Sequence, residues 1–286
     1  MIGVAGATGG LGSRIAAGLA ERGVEQRLVV RDPARAPSLP GAEVVQAAGY
    51  DDREAMRRAF DGVDVLFLPS AAEHPDRVNA LHRPAVEAAV AAGVGRLVYT
   101  SFLGAAPNCT FTFGRDHFHT EQLIREAGIG FTFLRDSIYL DFVPFFAGAD
   151  GVIRGPAGDG RVAAVARDDV ADVALAALLS DEHAGAAYEL SGGEALTLTE
   201  AAEILTRHTG REVRFLNETL EEARESRRPS GAPGWEIEGW VTTYAAIAAG
   251  ELDVVTDDVQ RIAGHPPMTL PEMLERHPES WAHLKA

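Results

Sequence analysis

A glycine-rich turn near the N-terminus constrains the fold of this chain more than any other part of its sequence. The turn is Gly6-Ala7-Thr8-Gly9-Gly10-Leu11-Gly12. It directly follows the apolar run Ile2 to Ala5 and leads into a helical pattern from Leu11 to Arg22. A strand, a glycine turn and a helix in this order expose backbone N–H groups at a helix N-terminus, where no Cβ blocks a phosphate group.

The three spaced glycines of this turn are expected to have different roles. Gly6 permits the tight turn, Gly9 allows a phosphate to approach closely, and Gly12 lets the helix pack against the sheet. The turn therefore predicts a dinucleotide-binding site, with a purely connecting turn as the structural alternative. The predicted contacts to the cofactor are made by Gly6, Thr8, Gly9, Gly10, Leu11 and Gly12.

The residues after the second predicted strand indicate which dinucleotide is bound. That strand, Arg27 to Val30, ends at Arg31-Asp32-Pro33. A guanidinium group pairs bidentately with phosphate oxygens, so Arg31 favours the 2′-phosphate of NADP and predicts a preference for NADPH. NAD stays possible if Arg31 is only a solvated surface residue and Asp32 binds the ribose hydroxyl instead.

Short apolar runs alternate with helical patterns through the first half of the chain. This alternation predicts an α/β fold with a doubly wound parallel sheet of the Rossmann type. The predicted strands are Ile2 to Ala5, Arg27 to Val30, Glu43 to Gln46, Val63 to Leu68, Leu97 to Thr100 and Gly130 to Leu134. The predicted helices are Leu11 to Arg22, Asp52 to Phe60, Asp76 to Ala92 and Arg115 to Ala127, with Asp52 as a helix cap.

The pattern changes after Arg135. A glycine-rich loop is predicted over Gly151 to Gly160, a strand over Val162 to Val165, and a helix over Asp168 to Ser180. Short helices dominate from Gly192 onward. We therefore predict an NADP-binding domain of residues 1–136, completed by 162–180, and a smaller, mostly helical substrate-binding lobe of 137–161 and 181–286.

Charge and cysteine content exclude several classes of protein. The 42 acidic residues outnumber the 26 lysines and arginines, for a net charge of −16. Such a surface repels phosphate backbones and anionic lipids, so neither nucleic acid nor a membrane is an expected partner. Cys109 is the single cysteine, so no disulfide within the chain is possible. No apolar run is long enough to span a bilayer, and the N-terminus lacks a basic leader. We therefore expect a cytoplasmic protein. The scattered histidines predict no metal site.

Lysine occurs once, at Lys285. A Schiff base, a P-loop lysine, or a lysine that lowers the pKa of a catalytic tyrosine is therefore excluded, unless the last two residues reach the site.

Three further segments, together with the glycine turn, resemble one family of proteins. They are Val98 to Leu103, His117 to Glu121 and Phe131 to Tyr139. In order and spacing they are similar to the NmrA-like family of atypical short-chain dehydrogenase/reductases, in the branch that contains quinone and triphenylmethane reductases. The resemblance extends over roughly Met1 to Leu190 and more loosely over the C-terminal lobe.

Ordinary short-chain dehydrogenases carry a Tyr-x-x-x-Lys pair whose lysine stands four residues before a glutamate like Glu121. Here those two positions are Phe113 and His117. NmrA-like proteins are similar in lacking the pair. The resemblance implies an NADPH-dependent oxidoreductase that transfers a hydride to a quinone or similar planar acceptor.

A quinone suits such a site because its reduced anion is a phenolate whose conjugate acid has a pKa of roughly 10, whereas a simple ketone gives an alkoxide that must be protonated in the transition state. The alternative that the resemblance implies is a non-catalytic NADP(H)-binding redox sensor with a protein partner. A lyase or isomerase that keeps the cofactor as structure is a weaker third hypothesis.

Four further residues are candidates for the site. Ser70 and Ser101 follow predicted strands, at the sheet edge where ligands bind in such folds, and we expect them near the cofactor ribose and the nicotinamide. His117 is a candidate proton source or polar clamp, because an ordinary histidine pKa is near neutrality. Tyr139 is a candidate pocket residue.

Each of these four residues also has a purely structural alternative. The serines could cap strand ends, His117 could lie on a helix surface, and Tyr139 could be core. The aromatic wall predicted beside Tyr139 for a planar substrate consists of Phe142, Phe145 and Phe146, which could equally be core. A homodimer is compatible with the sequence, which demonstrates none.

Overall fold

A seven-stranded sheet organises the first part of the chain in a computed structural model that describes residues 1–71 and 73–285. The strands, in chain order, are β1 (Ile2–Ala5), β2 (Gln26–Val30), β3 (Ala42–Gln46), β4 (Val65–Leu68), β5 (Arg96–Phe102), β6 (Gly130–Asp136), β7 (Val152–Gly155), β8 (Arg161–Val162), β9 (Ala187–Leu190), β10 (Leu196–Thr197) and β11 (Arg214–Asn217). The large sheet has the strand order β3-β2-β1-β4-β5-β6-β9. The predicted doubly wound parallel sheet is confirmed.

The helices also follow the prediction closely. They are α1 (Gly10–Glu21), α2 (Arg53–Phe60), α3 (Arg83–Ala91), α4 (Thr112–Glu126), α5 (Arg167–Leu179), α6 (Leu198–Thr209), α7 (Leu220–Arg227), α8 (Gly234–Ala248), α9 (Asp258–Ala263) and α10 (Leu270–Arg276). The predicted cap of α2 is confirmed, because the Asp52 carboxylate accepts the N–H of Ala55 at 3.0 Å. None of the helices in the described residues is long and apolar enough to cross a membrane.

Strand β1 lies where the order of the sheet reverses. It pairs in parallel with β2 on one side, where Ile2 is opposite Gln26, and with β4 on the other, where Ile2 is opposite Val65. The helical connections that follow β1 and β3, α1 and α2, therefore cover opposite faces of the sheet. Such a reversal opens a crevice at the carboxyl end of the central strand, and the glycine turn begins there.

The prediction of one long helix from Asp76 to Ala92 is wrong. Val78–His82 is a π-helical turn, and α3 begins only at Arg83. Pro84 is the second residue of α3. Since proline has no backbone N–H, it cannot donate to the carbonyl four residues earlier, and the α-helical hydrogen-bond ladder is interrupted at this point.

Three short strands were missed, and one predicted loop is wrong. The N–H of Phe133 donates to the Ala186 carbonyl at 2.9 Å and that of Ser137 to the Leu190 carbonyl at 2.9 Å, so β9 extends the large sheet in parallel with β6. Within the predicted loop Gly151 to Gly160, β7 pairs in parallel with β11. Strand β10 pairs antiparallel with β8.

The chain divides into two compact units. The first comprises 1–102, 116–135 and 168–188, and the second comprises 103–115, 136–167 and 189–286. The core of the first unit lies on the sheet and includes the fully buried side chains of Phe60, Leu66, Tyr99 and Phe133. The second unit contains the short helices α6 to α10. The assignment of cofactor to one part of the chain and substrate to the other stays a prediction.

Candidate active site

The glycine turn has a conformation that requires glycine at its first position. Gly6 has a φ of +65°, a value that residues with a Cβ rarely adopt. Its N–H donates to the Val29 carbonyl at 3.2 Å, and its own carbonyl accepts the N–H of Gly9 at 2.9 Å. These two hydrogen bonds connect the turn to β2 and fold it back on itself.

The N-terminus of α1 is left without a side-chain cap. Gly9 occupies the cap position and has no side chain that could cap the helix. The first turn of α1 contains no acidic residue. Gly9 and Gly10 are both exposed. The first-turn N–H groups and the positive end of the helix dipole are thus open to an anion, as a dinucleotide pyrophosphate requires.

A side chain at either of the other two glycines would disturb this turn. A Cβ on Gly12 would lie 2.8 Å from the carbonyl carbon of Gly6 and closer still to its oxygen, and one on Gly9 would lie 3.2 Å from that same oxygen. The turn and the helix can approach each other this closely only without side chains. The residues present therefore fit a bound pyrophosphate.

Arg31 follows β2 on the surface. Its guanidinium lies 3.4 Å from the Glu73 carboxylate, and the two side chains are 72% and 63% exposed. An ion pair this open to water is weak, so Arg31 can exchange its partner for a phosphate at low cost. Asp32 instead accepts the N–H of Ala34 at 3.0 Å and caps a short 3₁₀ turn.

Ser70 follows β4 directly. Its backbone N–H donates to the Thr100 hydroxyl, 2.8 Å away, and Thr100 lies on the neighbouring strand β5. Ser70 therefore lies at the carboxyl edge of the sheet, as the sequence predicted.

Ser101 contributes to a buried ionic cluster. Its hydroxyl donates to the Glu121 carboxylate at 2.6 Å, which also accepts two hydrogen bonds from Arg135 at 2.8 Å and one from Arg125 at 3.1 Å. Burial alone would raise the pKa of Glu121, but the hydrogen bonds from Arg135 and Ser101 outweigh it and hold the pKa below its usual value. The Ser101 hydroxyl is thus committed to Glu121 rather than open to a ligand.

The near-neutral pKa expected for His117 is wrong. Nδ1 of His117 and the Tyr99 hydroxyl share a hydrogen bond of 3.2 Å, and the imidazole stacks on Phe102 with ring centroids 6.1 Å apart. Burial, reinforced by the positive charge of Arg77, lowers the pKa of His117 to about 4. The imidazole is therefore neutral at pH 7 and cannot store a proton there, although it can still form a polar contact.

A buried polar network next to His117 was missed from the sequence. The Tyr99 side chain is fully buried, and nearby His82 shares a 2.7 Å hydrogen bond with the Thr120 hydroxyl. His82 also accepts the N–H of Ala71 at 3.0 Å. Tyr99 lies in the buried strand β5. Its hydroxyl, a polar group within an otherwise apolar run, is the one sequence signal that could have indicated this network.

Tyr139, in the second unit, makes a close contact with a buried acid. Its hydroxyl donates to Oδ2 of Asp136 at 2.7 Å. The guanidinium of Arg167 lies over the Tyr139 ring, 4.9 Å from its centroid, and over the Phe142 ring at 4.3 Å. Asp136 was not among the predicted site residues, because its relation to Tyr139 depends on how the chain turns after β6.

The predicted aromatic wall is only partly assembled. Phe142 lies beside Tyr139, with ring centroids 5.8 Å apart. Phe145 instead stacks on His283 at 5.0 Å, and Phe146 packs against Tyr244 at 5.6 Å. Within this group, Tyr139 and Phe142 contact each other, whereas Phe145 and Phe146 pack against other aromatic partners.

Phe113, which stands where ordinary relatives have the catalytic tyrosine, is packed among apolar groups of the second unit. Its ring centroid is 5.4 Å from that of Phe111 and 6.1 Å from that of Trp235. A Cβ on Gly239 would lie 2.7 Å from Cε2 of Phe113. This position therefore supplies packing and no proton.

The sequence and the fold are similar to those of characterised reductases. Residues 6–181 match the model of an NAD(P)H-binding family. Quinone oxidoreductase 2 of Escherichia coli is 33% identical over 278 residues, which cover 95% of this chain and 96% of that protein. A (4-alkanoyl-5-oxo-2,5-dihydrofuran-3-yl)methyl phosphate reductase of Streptomyces griseus is 36% identical over 291 residues, covering 99% of each chain.

Two solved structures hold the corresponding cofactor. The Escherichia coli NADPH-dependent quinone oxidoreductase complexed with NADPH has a TM-score of 0.87 and 32% identity, covering 96% of this chain and 99% of that one. The Citrobacter triphenylmethane reductase complexed with NADP(H) has a TM-score of 0.84 and 29% identity, with 96% and 99% covered. The chain is thus an NAD(P)H-dependent oxidoreductase for a small-molecule acceptor, and it belongs to the NAD(P)H-binding family.

Proposed function

We propose that this chain reduces quinones or similar planar acceptors with NADPH and does so without a Tyr–Lys pair. The main evidence comes from the two side chains on α4 that stand where ordinary relatives have the tyrosine and the lysine. Phe113 is packed among aromatic rings, and the pKa of His117 is lowered to about 4, chiefly by burial. Neither side chain can activate a simple ketone by donating a proton at neutral pH.

The glycine turn and Arg31 would hold the cofactor, which supplies a hydride when bound. The open N–H groups of α1 would bind the pyrophosphate, and Ser70 would contact the ribose. Arg31 would exchange its exposed partner Glu73 for the 2′-phosphate, to which a guanidinium can donate bidentate hydrogen bonds. Because Asp32 already caps a turn, NADPH is favoured over NADH.

The acceptor would lie against Tyr139 and Phe142 in the second unit. The Arg167 guanidinium covers both rings and fixes their orientation, so they offer a planar molecule a rigid apolar surface. A quinone needs less proton assistance than a simple ketone, because its reduced anion is the base of an acid with a pKa of roughly 10. The His117 imidazole is neutral at pH 7 and supplies no proton.

The names of the relatives agree with an acceptor of this class. One similar protein is a quinone oxidoreductase and another a triphenylmethane reductase, and both kinds of substrate are conjugated and planar. The Streptomyces griseus relative acts on a conjugated furanone that carries a phosphate. A conjugated, electron-poor acceptor of hydride is common to these reactions.

A panel of acceptors tests this proposal. NADPH oxidation is measured with quinones, a triphenylmethane dye and simple ketones at equal concentrations. We expect turnover with quinones and the dye, and at least about a hundredfold less with simple ketones, because hydride addition to a ketone gives an alkoxide that is far more basic than a phenolate and must be protonated in the transition state. Equal rates with ketones would contradict the proposal, and tight NADPH binding without oxidation by any acceptor would favour the sensor.

A further inference from the structure

The second unit contains a buried carboxyl group with one hydrogen-bond donor beside it. Asp136 is 2% exposed, and its Oδ2 accepts the Tyr139 hydroxyl at 2.7 Å. Its Oδ1 is buried and has no hydrogen-bond partner within residues 1–71 and 73–285. An ionised carboxylate presents about four acceptor sites, so burial with a single donor strongly disfavours the charged form.

The charged groups around this pair do not compensate a negative charge on Asp136. Arg167 covers the Tyr139 ring, but its guanidinium also lies 3.8 Å from the Asp141 carboxylate, which accepts the backbone N–H of Arg167 at 3.0 Å. Burial raises the pKa of Asp136 to about 8, against the lowering effect of the Tyr139 hydrogen bond. Burial and the neighbouring Asp136 also raise the pKa of Tyr139, against the lowering effect of Arg167 and with a smaller raising effect from Asp141.

The two members of the pair differ in their access to a ligand. Tyr139 is partly exposed, whereas Asp136 is buried behind it. When Asp136 is protonated, the same contact can form with the Asp136 hydroxyl as donor and the Tyr139 oxygen as acceptor. The phenol proton of Tyr139 is then free to point at an oxygen atom of a bound molecule.

We propose that Asp136 is a positioning residue that keeps Tyr139 supplied with a proton, and that Tyr139 protonates the oxygen of the reduced acceptor. This inference rests on the proposed function. The acceptor gains two electrons and one hydrogen as a hydride equivalent from the reduced cofactor, and its oxygen takes the Tyr139 proton as that O–H bond breaks. The Asp136 O–H bond breaks in turn, its proton passes to the Tyr139 oxygen, and the negative charge rests on the Asp136 carboxylate until water returns a proton.

The net acid in this relay is the carboxyl group rather than the phenol. The pKa of Asp136 is about 8. A hydroquinone-type product has a pKa of roughly 10, so transfer of the proton from Asp136 is favourable. Without Asp136, the Tyr139 phenol would have to give up its own proton although burial raises its pKa.

The first test needs neither cofactor nor acceptor. The protein is labelled with carboxyl-¹³C aspartate, and its resonances are followed by NMR as the pH is raised. We expect one resonance with a midpoint near 8 that is absent from the Asp136→Asn variant. A midpoint below about 5, which is an ordinary aspartate value, would overturn the inference.

The second test compares two acceptors that differ in their need for a proton. A quinone oxygen needs a proton after hydride transfer, whereas a cationic triphenylmethane dye takes the hydride on carbon and needs none. We expect Asp136→Asn to lower the ratio of quinone to dye turnover at least about tenfold, a modest share of general acid catalysis. The wild-type quinone rate should fall as pH rises through about 8, and the variant should lack this alkaline decrease.

The exposed Asp253 provides a matched control, because Asp253→Asn makes the same chemical change elsewhere in the second unit. An unchanged ratio, or an alkaline decrease that persists in Asp136→Asn, would refute the relay. If Asp136→Asn fails to fold, Tyr139→Phe removes the relay, retains the ring under Arg167, and carries the same expectations. If the wild type reduces no acceptor, the proposed function fails, while the NMR titration still decides the protonation of the pair.

Discussion

At the scale of single residues, we expect the exposed Arg31 to determine which cofactor is preferred. Its partner Glu73 is exposed and 3.4 Å away, so the folded protein loses little when the pair separates. A 2′-phosphate offers the guanidinium two charge-assisted hydrogen bonds instead. Fold stability and cofactor preference are therefore nearly independent at this position.

Replacing Arg31 with glutamate is expected to weaken NADPH binding by about 1 to 3 kcal/mol, the scale of hydrogen bonds to charged groups, and to leave NADH binding nearly unchanged. Binding is measured by the change in cofactor fluorescence on titration. Arg58→Glu is the control, because Arg58 is also exposed and lies on α2. Equal losses for both cofactors, or for both variants, would show that the 2′-phosphate is not bound by Arg31.

The lowered pKa of His117 predicts a flat response to pH around neutrality. The folded-state value of about 4 lies below the ordinary value of about 6.5, so the imidazole stays neutral from pH 5 to pH 8. His117→Gln should therefore leave the shape of the pH–rate profile in this range unchanged. A rate change centred between pH 6 and 7 that the variant removes would show that His117 titrates during turnover.

At the scale of elements, the contact between the glycine turn and α1 depends on a missing side chain. Gly12→Ala would place a methyl group 2.8 Å from the Gly6 carbonyl carbon, so the turn must move away from the helix. We expect at least about a tenfold loss of NADPH affinity together with a lower melting temperature. Gly234→Ala, at the start of α8, is the control, because nothing lies within 4 Å of its added Cβ. Unchanged NADPH affinity in Gly12→Ala would place the cofactor elsewhere.

Glu121 stabilises three elements through one buried carboxylate. It is on α4 and accepts hydrogen bonds from Ser101 on β5 and from Arg135 on β6. Glu121→Gln removes the buried negative charge that pairs with Arg135 and is expected to destabilise the fold by about 3 kcal/mol at pH 7. The control is Glu126→Gln, an exposed position at the end of the same helix.

The effect of Glu121→Gln should also depend on pH. Because the folded-state pKa of Glu121 is lowered, its contribution is complete above the unfolded value of about 4.3 and is lost as pH falls through the folded value. The difference between wild type and variant in chemical denaturation should therefore shrink in acid. A constant difference down to low pH would show that the stabilisation does not depend on the charge.

The strands of the sheet that could be predicted from sequence are those whose apolar residues stand next to one another. β1 was predicted with its observed bounds, and β2, β3 and β6 within one or two residues, because each is a short apolar run between turn signals. β9 was missed because Ala187-Tyr-Glu-Leu is short and mixed. The π turn before α3 was missed because apolar spacing alone does not reveal an interrupted hydrogen-bond ladder.

At the scale of the whole molecule, the sequence predicted the fold class and the glycine turn but not the protonation states of the candidate site. The reversal of strand order at β1 follows from alternating strands and helices, and the turn follows from its glycines. The pKa values of His117 and Asp136 depend instead on burial in the folded chain. No local pattern encodes such burial, so the lowered pKa of His117 and the raised pKa of Asp136 appear only in the folded structure.

The most direct test of the account is a single turnover without oxygen. Protein loaded with one equivalent of NADPH is mixed anaerobically with one equivalent of a quinone, and NADPH and hydroquinone are measured together over time. The account predicts that one hydroquinone forms for each NADPH consumed, at the same rate for both and much faster than in the absence of protein. Bound NADPH that stays reduced in the presence of the quinone, or is consumed without hydroquinone, would contradict it.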